Sequence, residues 1–478
     1  MQSSPQGFET FLKYPLVDAI LNRRSRRVAE GVSPINAASL SYRAPSPHDS
    51  PKPLSELEEA VLIWATGATG YVLPDRPFED NSPKPRKILG TPNLSFHGRA
   101  AGSTDNSQPT YFLMLNDSGT YFIKHLQDRI CTEVKDAMSP DVLLARAAQC
   151  KVKLSERRLF AEEKYRQFPI YLDSNRLLSN VPGSTVFIPI IDMSRQYINA
   201  LMYVLTEESK CRPTFVDDRN FYRPAGVRKW MKNPSLIHAD EFALNRDLKV
   251  PLGKLGGMRT EYESYFLLHN MMLMLEPLGL GGWVHASIGP PYMLGDPFIS
   301  PGTRGVLNVH WHVPVRSLFQ RFTLDLLRWA SPLPAMRANP CGLLAPNAEP
   351  HTASESDWLI RCLCPPTFTV DKAVDLVLDE KQRHYDDRAY FTKIFRNKQM
   401  GDSFVDKVPR YDRDVIACTK DILQYLYETH GRVPAHCDSL FVPGICLQAH
   451  HLNIDYYDRL FGGRGYTPRH RDHVNQWH

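Results

Sequence analysis

Residues 185–192 read Thr-Val-Phe-Ile-Pro-Ile-Ile-Asp, introduced by Gly183-Ser184. An apolar run with no polar beat is the pattern of a strand buried in the middle of a sheet. Pro189 interrupts it, and a proline has no N–H to give a ladder, so it marks an edge or a bulge. A second apolar stretch, residues 261–282 (EYESYFLLHNMMLMLEPLGLGG), is helical in character. Its part 262–275 is apolar on most faces, which reads as a helix buried on all sides, and Gly279, Gly281 and Gly282 supply a permissive turn after it. The run 265–275 is interrupted by His269 and Asn270 and bounded by Glu263 and Glu276. It is too short to span a bilayer, so no membrane partner is expected.

The chain has 478 residues, enough for two ordinary domains or one enlarged domain, and 42% of them are hydrophobic, enough for a core. A net charge of +5 is small for this length and calls for no nucleic acid. The N-terminus has no apolar core of signal-peptide length, so a cytoplasmic protein is expected. Nine cysteines are scattered, with Cys362 and Cys364 the one close pair, and they read as reduced, mostly buried thiols.

Ser55-x-x-Glu58 is a capping-box pattern, followed by Leu57, Val61 and Trp64 at helical spacing and by Gly67 or Gly70 as the stop. Tyr111 to Leu115 reads as a strand, Asp117-Ser118-Gly119 as a turn, and Thr120 to Ile123 as the hairpin partner. Leu143, Ala147 and Cys150 make a candidate helix face, and residues 306–313 (VLNVHWHV) alternate as a strand would. Val370, Val374 and Val377 mark one amphipathic helix. Val415, Ile422 and Leu426 mark another, ended by Gly431 and Pro434. Residues 46–54 and 76–92 are proline-rich connectors, and about 210–254 are polar and poorly periodic. His310 and His312 share one strand face without a carboxylate motif, and the His-, Tyr- and Arg-rich tail, including His470-x-x-His473, reads as a docking tail that wraps a partner subunit. No metal site is assigned.

Two polar stretches carry the chemistry. Residues 96–115 hold Ala101-Gly102-Ser103-Thr104, then Asn106-Ser107-Gln108-Pro109, then the strand. Short hydroxyl and amide side chains on a glycine-bearing loop let the backbone approach a flat polar ligand closely. The plain alternative is a polar turn before a core strand. Earlier in the chain, Arg23-Arg24-Ser25-Arg26-Arg27 follows a helix-like segment. In extended chain Arg23, Ser25 and Arg27 point one way and could face a single anion. The plain alternative is a solvated or nucleic-acid-attracting patch.

The Asn-x-Gln-Pro loop, the Arg23-x-Ser25-x-Arg27 run and the Leu-Gly-Leu-Gly turn after the long helix occur in the order found in FMN-dependent nitroreductases, and the chain resembles that superfamily over about residues 14–313. Residues 54–70 (LSELEEAVLIWATGATG) also resemble the helix that opens its azoline-dehydrogenase branch. The resemblance implies an α+β fold of three layers, with a mixed, mainly antiparallel central sheet flanked by helices. It implies an FMN-binding domain over 1–316, with an insertion at about 125–180 and a lid-like region at about 210–254, followed by a mostly helical and irregular C-terminal extension over 317–478. It further implies a homodimer with FMN at the interface and a small-molecule substrate. Hydride would move through flavin N5 between NAD(P)H or an organic substrate and an acceptor. Arg27 would face the N1 and O2 edge of the ring, with Arg23 and Ser25 towards the phosphate or ribityl chain. Ser103, Thr104, Asn106 and Gln108 would approach from the neighbouring subunit, and the chain from Trp283 to Gly289 would present backbone N–H groups to the ring edge.

Asp105 and Thr110 depart from the family pattern, and Arg304 and Arg316 are the candidates for a further basic residue at the phosphate. No general acid or base is assigned. The alternative is a catalytically silent flavin-binding or scaffold protein of the same fold, whose C-terminal region binds a partner.

Overall fold

The computed structural model describes residues 6–45, 51–67, 69–71, 93–95, 97–125, 139–159, 171–206, 252–289, 308–312, 339–344, 362–365, 367–407, 411–434 and 438–478. The expected connector at 76–92, nearly all of the lid-like region at 210–254, and Arg304 and Arg316 lie outside them.

The strands are β1 (Ser33–Pro34), β2 (Tyr42–Arg43), β3 (Thr69–Tyr71), β4 (His97–Arg99), β5 (Thr110–Asn116), β6 (Gly119–Ile123), β7 (Lys151–Ser155), β8 (Thr185–Asp192), β9 (Gly281–His285), β10 (Asn308–His312), β11 (Asn339–Leu344), β12 (Leu440–Phe441) and β13 (Cys446–His450). The helices are α1 (Gln6–Leu12), α2 (Leu16–Asn22), α3 (Glu56–Gly67), α4 (Pro140–Cys150), α5 (Ser194–Val204), α6 (Leu252–Leu278), α7 (Val370–Asp386), α8 (Arg388–Ile394), α9 (Lys398–Lys407), α10 (Arg413–His430), α11 (Ile454–Phe461) and α12 (Pro468–Trp477).

The central sheet runs β7-β6-β5-β8-β13-β9, with β12 also on β8. Every ladder among the described residues is antiparallel, where a mixed sheet was expected. The sheet is buried on both faces. Leu113 and Leu115 of β5 and Val186, Ile188 and Ile190 of β8 pack with α5, α7 and α10, while Phe112, Met114 and Phe187 pack with α1, α3, α4, α6 and α12. Alternate side chains therefore enter different helical layers, and both parities of the strand must be apolar. Each large side chain buried this way contributes about 1.5–3 kcal/mol.

Pro189 fits inside this central strand for a local reason. One side of β8 pairs with β5 along its length, but the other changes partner, from β13 at residues 185–187 to β12 at 191–192. Proline occupies the gap, where no ladder N–H is needed.

Residues 317–478 were expected to form an extension. Part of that stretch, β13, instead lies between β8 and β9, and α7 and α10 cover one face of the sheet. Within the chain the tail is anchored on α1, where Trp477 of α12 packs with Phe8 and Phe11. The long helix also differs from expectation. Met258, Tyr262, Tyr265 and Phe266 of α6 are exposed, as are Leu16, Val17, Ile20 and Leu21 of α2, so within one chain α6 is not buried on all sides. It ends at Gly279 (φ +77), where Leu280 N–H returns to Leu275 C=O at 2.9 Å. A Cβ on Gly282 would come within 2.4 Å of Leu275 and 2.6 Å of the Gln448 carbonyl, so glycine there is what lets β9 lie against α6 and β13.

Candidate functional site

Residues 23–27 leave α2 in extended conformation, with Arg23 as its C-cap. Arg26 N–H donates to Gly282 C=O at 3.1 Å, which fixes the strip alongside β9. The side chains of the strip then divide. Arg26 turns inward, its Nη1 2.8 Å from Glu276 Oε2 and its Nε 2.9 Å from the Gly465 carbonyl. Ser25 is exposed, and Arg23 and Arg27 are half-buried. The Arg27 guanidinium lies 4.4 Å from the centroid of Trp283 and donates to Asn175 Oδ1. Stacking of this kind holds a guanidinium while leaving its edge available.

Three polar atoms at this place are buried without a hydrogen-bond partner: Arg27 Nε, Trp283 Nε1 and Ser287 Oγ. Buried donors are ordinarily satisfied, so each of these three is open to a further partner. The segment at 171–175 closes it, through the Tyr171–Ile288 bridge and Leu172 N–H to Ser287 C=O at 3.1 Å, and half-buried Gly289 follows directly. The ring of His285 stacks on Trp283 at 3.9 Å. Burial, with Arg27 and His450 adding to it, lowers the His285 pKa to about 3. Cys446 Sγ is 3.5 Å from His285 Nε2, and burial pushes the thiol up, so this is a neutral thiol–imidazole contact and not a reactive thiolate.

The polar loop is elsewhere. Residues 104–106 form one 3₁₀ turn, and Asp105, Asn106 and Gln108 all have positive φ (47°, 51° and 48°). Non-glycine residues in this region cost of order 1–3 kcal/mol each and persist where the surroundings fix them. Glu263 of α6 does much of the fixing. Its carboxylate accepts from Ser103 Oγ at 2.5 Å and Arg99 Nη1 at 2.8 Å. Ser103 Oγ in turn accepts from Gln108 N–H at 2.9 Å. Asn106 Nδ2 donates to the Ser95 carbonyl at 2.5 Å, and Thr104 Oγ1 to the Arg259 carbonyl at 3.3 Å. Ser107 Oγ and Thr110 Oγ1 are buried without partners. Burial raises the Glu263 pKa against the opposing effect of Arg99. His125 is held neutral, well below the usual range, by burial and by Arg99. Behind the loop, burial lowers Lys381 to about 7, and its ammonium donates to Asn199 Oδ1 at 3.1 Å and Tyr411 Oη at 3.0 Å.

Arg27 is thus placed on Trp283, with Arg23 and Ser25 four and two residues before it on the same strip, whereas Ser103, Thr104, Asn106 and Gln108 lie in the loop that Glu263 holds through Ser103. Glu263 and Glu276 are thirteen residues apart on one helix, so the two groups are separated by roughly 20 Å. Sequence reasoning passed over Arg26, Asn175, Trp283 as a platform, Ser287 and Glu263. The alternation about Arg26 was the one available signal for any of them.

No family model matches this sequence, and no curated protein matches it. Among solved structures, one described as a "putative nitroreductase" from Ralstonia eutropha JMP134 is similar over 60% of this chain and 73% of that chain, with 13% identity and a TM-score of 0.26.

Proposed function

We propose that this protein is an FMN-dependent oxidoreductase that works as a homodimer. The observation that carries the reading is Arg27, a half-buried guanidinium stacked on Trp283 with its buried Nε unpartnered, beside the orphaned Trp283 Nε1 and Ser287 Oγ. These are donors, and a flat, electron-rich ring with carbonyl and imine edges is a fitting acceptor for them. Arg23 and Ser25, on the same outward side of the strip, suit a phosphate. When bound, FMN would supply hydride chemistry between NAD(P)H or an organic substrate and an acceptor.

This chain's residues would hold and polarise the cofactor. Arg27 would stabilise negative charge at the ring edge. Arg26 would set the strip's register through Gly282 and Glu276, and the covered pocket wall of Trp283 and His285 would exclude water. The loop at 103–108 lies too far along α6 to reach the same ligand within one chain. A second copy can deliver it, and the exposed apolar faces of α2 and α6 are the surface such a copy would cover. Thr104 and Gln108 remain partly exposed for that contact.

A silent flavin-binding protein is the second reading. It is favoured by the chemistry next to Arg27, where the titratable neighbours His285 and Cys446 are both held neutral by burial. Steady-state oxidation of NAD(P)H with a quinone or nitroaromatic acceptor separates the two. Sustained turnover by the FMN-loaded protein supports the oxidoreductase, and stable bound flavin that is never reduced supports the silent protein.

A further inference from the structure

Apart from the Arg27 site, α3, the end of β13 and α12 meet at four side chains: Glu58, His451, His473 and His478. The side chains of Glu58, His473 and His451 are 0, 3 and 4% exposed, and that of His478 is 12% exposed. His473 Nε2 lies 2.6 Å and His451 Nε2 3.3 Å from Glu58 Oε1. His478 Nε2 lies 3.5 Å from Glu58 Oε2 and 3.4 Å from His451 Nε2. All four donor atoms fall within 4.8 Å of one another.

The ring protons define what the cluster lacks. His451 Nδ1 is 2.9 Å from the Lys52 carbonyl, and His473 Nδ1 is 2.8 Å from the Leu278 carbonyl. A carbonyl only accepts, so each Nδ1 carries a proton and Nε2 is the ring nitrogen left to face the centre. The carboxylate of Glu58 is itself fixed by the Ser55 N–H, 2.6 Å from Oε2, in the capping box that starts α3. Three imidazole Nε2 atoms therefore crowd one carboxylate out of water, His473 Nε2 the nearest at 2.6 Å. A second proton on one ring would answer one of these contacts and leave the others unmet. A divalent cation answers all four.

We propose that Glu58, His451, His473 and His478 bind one divalent transition-metal ion, with zinc the preferred ion, in a closed four-coordinate site. Three imidazoles and one carboxylate suit zinc, whereas magnesium and calcium want a shell of oxygens. Tetrahedral bonds of about 2.0–2.1 Å set neighbouring donors about 3.3–3.4 Å apart. With Oε1 as the carboxylate donor, the separations of 3.3 Å to His451 and 3.4 Å between His451 and His478 are close to that, the 2.6 Å contact of His473 must open by several tenths of an ångström, and the other donor pairs, within 4.8 Å, must draw in. The carbonyls behind His451 and His473 are the outer partners that metal-bound imidazoles use. Four protein donors leave no open position, so the ion is structural: it pins α12 and the end of β13 to α3. This site stands whether or not the protein binds flavin.

The test uses the full chain without a histidine tag, stripped with a chelator and titrated with Zn²⁺ against a chromophoric competitor. One Zn²⁺ per chain is expected, with a zinc-dependent rise in the thermal midpoint. Glu58→Gln and His478→Ala should each weaken binding by roughly tenfold or more. His269→Ala, which removes an exposed histidine, should leave it unchanged. Because His478 follows the last helix, its variant should keep the wild-type circular dichroism, so lost binding can be read in a folded protein. Absence of stoichiometric zinc binding by the wild type, or wild-type affinity in both Glu58→Gln and His478→Ala, overturns the proposal.

Discussion

Arg26 and Glu276 meet at 2.8 Å with their side chains only 6% and 1% exposed, joining the N-terminal strip to the end of the long helix. Thr467 Oγ1 adds a hydrogen bond to Glu276 Oε1 at 3.0 Å, and the Gly465 carbonyl accepts from Arg26 Nε, so the pair is also where the tail is anchored. Removing one partner leaves the other charge buried alone. Arg26→Ala is expected to cost about 3–5 kcal/mol in urea unfolding, while Arg26→Met combined with Glu276→Leu should recover much of it. A loss below about 1 kcal/mol for the single variant, the range of an exposed pair, would show that the contact is solvated in solution.

The position of β13 makes a prediction about fragments. A chain ending at residue 316 lacks the strand between β8 and β9 and the helices that cover Val186, Ile188 and Ile190. Such a fragment should give no cooperative thermal transition and should expose apolar surface to a hydrophobic dye. A sharp transition from the isolated fragment would restore the view that residues 317–478 are appended to a complete domain.

How much of this was legible in the sequence follows from the range of each signal. The capping box of Ser55 and Glu58, the hairpin at residues 116–119 and the Gly431 end of α10 are encoded within a few residues, and each forms as read. The strand at 185–192 was legible because burial on both faces leaves a continuous apolar run. Partners far along the chain were not legible. Arg26 pairs with a residue 250 positions away, Ser103 with one 160 positions away, and the segment CLQAH gives no hint that it enters the sheet. Periodicity also reports that a helix face is apolar without reporting what covers it, which is why the face of α6 bearing Tyr262 and Phe266 was taken for core.

That face supplies a further test. Met258, Tyr262 and Phe266 fall at i, i+4 and i+8 and are each about half exposed. Light scattering should find a dimer for the wild type and a monomer for the Tyr262→Glu, Phe266→Glu double variant. A wild type that stays monomeric at high concentration would remove the two-copy arrangement, and with it the only route by which the loop at 103–108 reaches the Arg27 site.

Acid should weaken the fold through His285. Its folded pKa is lowered from 6.5 to about 3, so between those values the unfolded chain binds more protons than the folded one. The stability it contributes is present above pH 6.5 and is lost as the pH falls towards 3. Unfolding free energies measured across this window should fall less steeply for His285→Gln than for the wild type. Equal slopes would mean that the imidazole is hydrated or already charged in the folded protein.

The most direct measurement is the visible absorption spectrum of the purified protein titrated with FMN, repeated on the Arg23→Ala, Arg27→Ala double variant, with tryptophan fluorescence followed in parallel. The account predicts stoichiometric FMN uptake with a perturbed flavin spectrum and quenched tryptophan emission in the wild type, both lost in the variant while its circular dichroism is unchanged. A wild type that takes up no FMN, or a variant that binds it equally well, would contradict the assignment of Arg23, Ser25 and Arg27 to a flavin site.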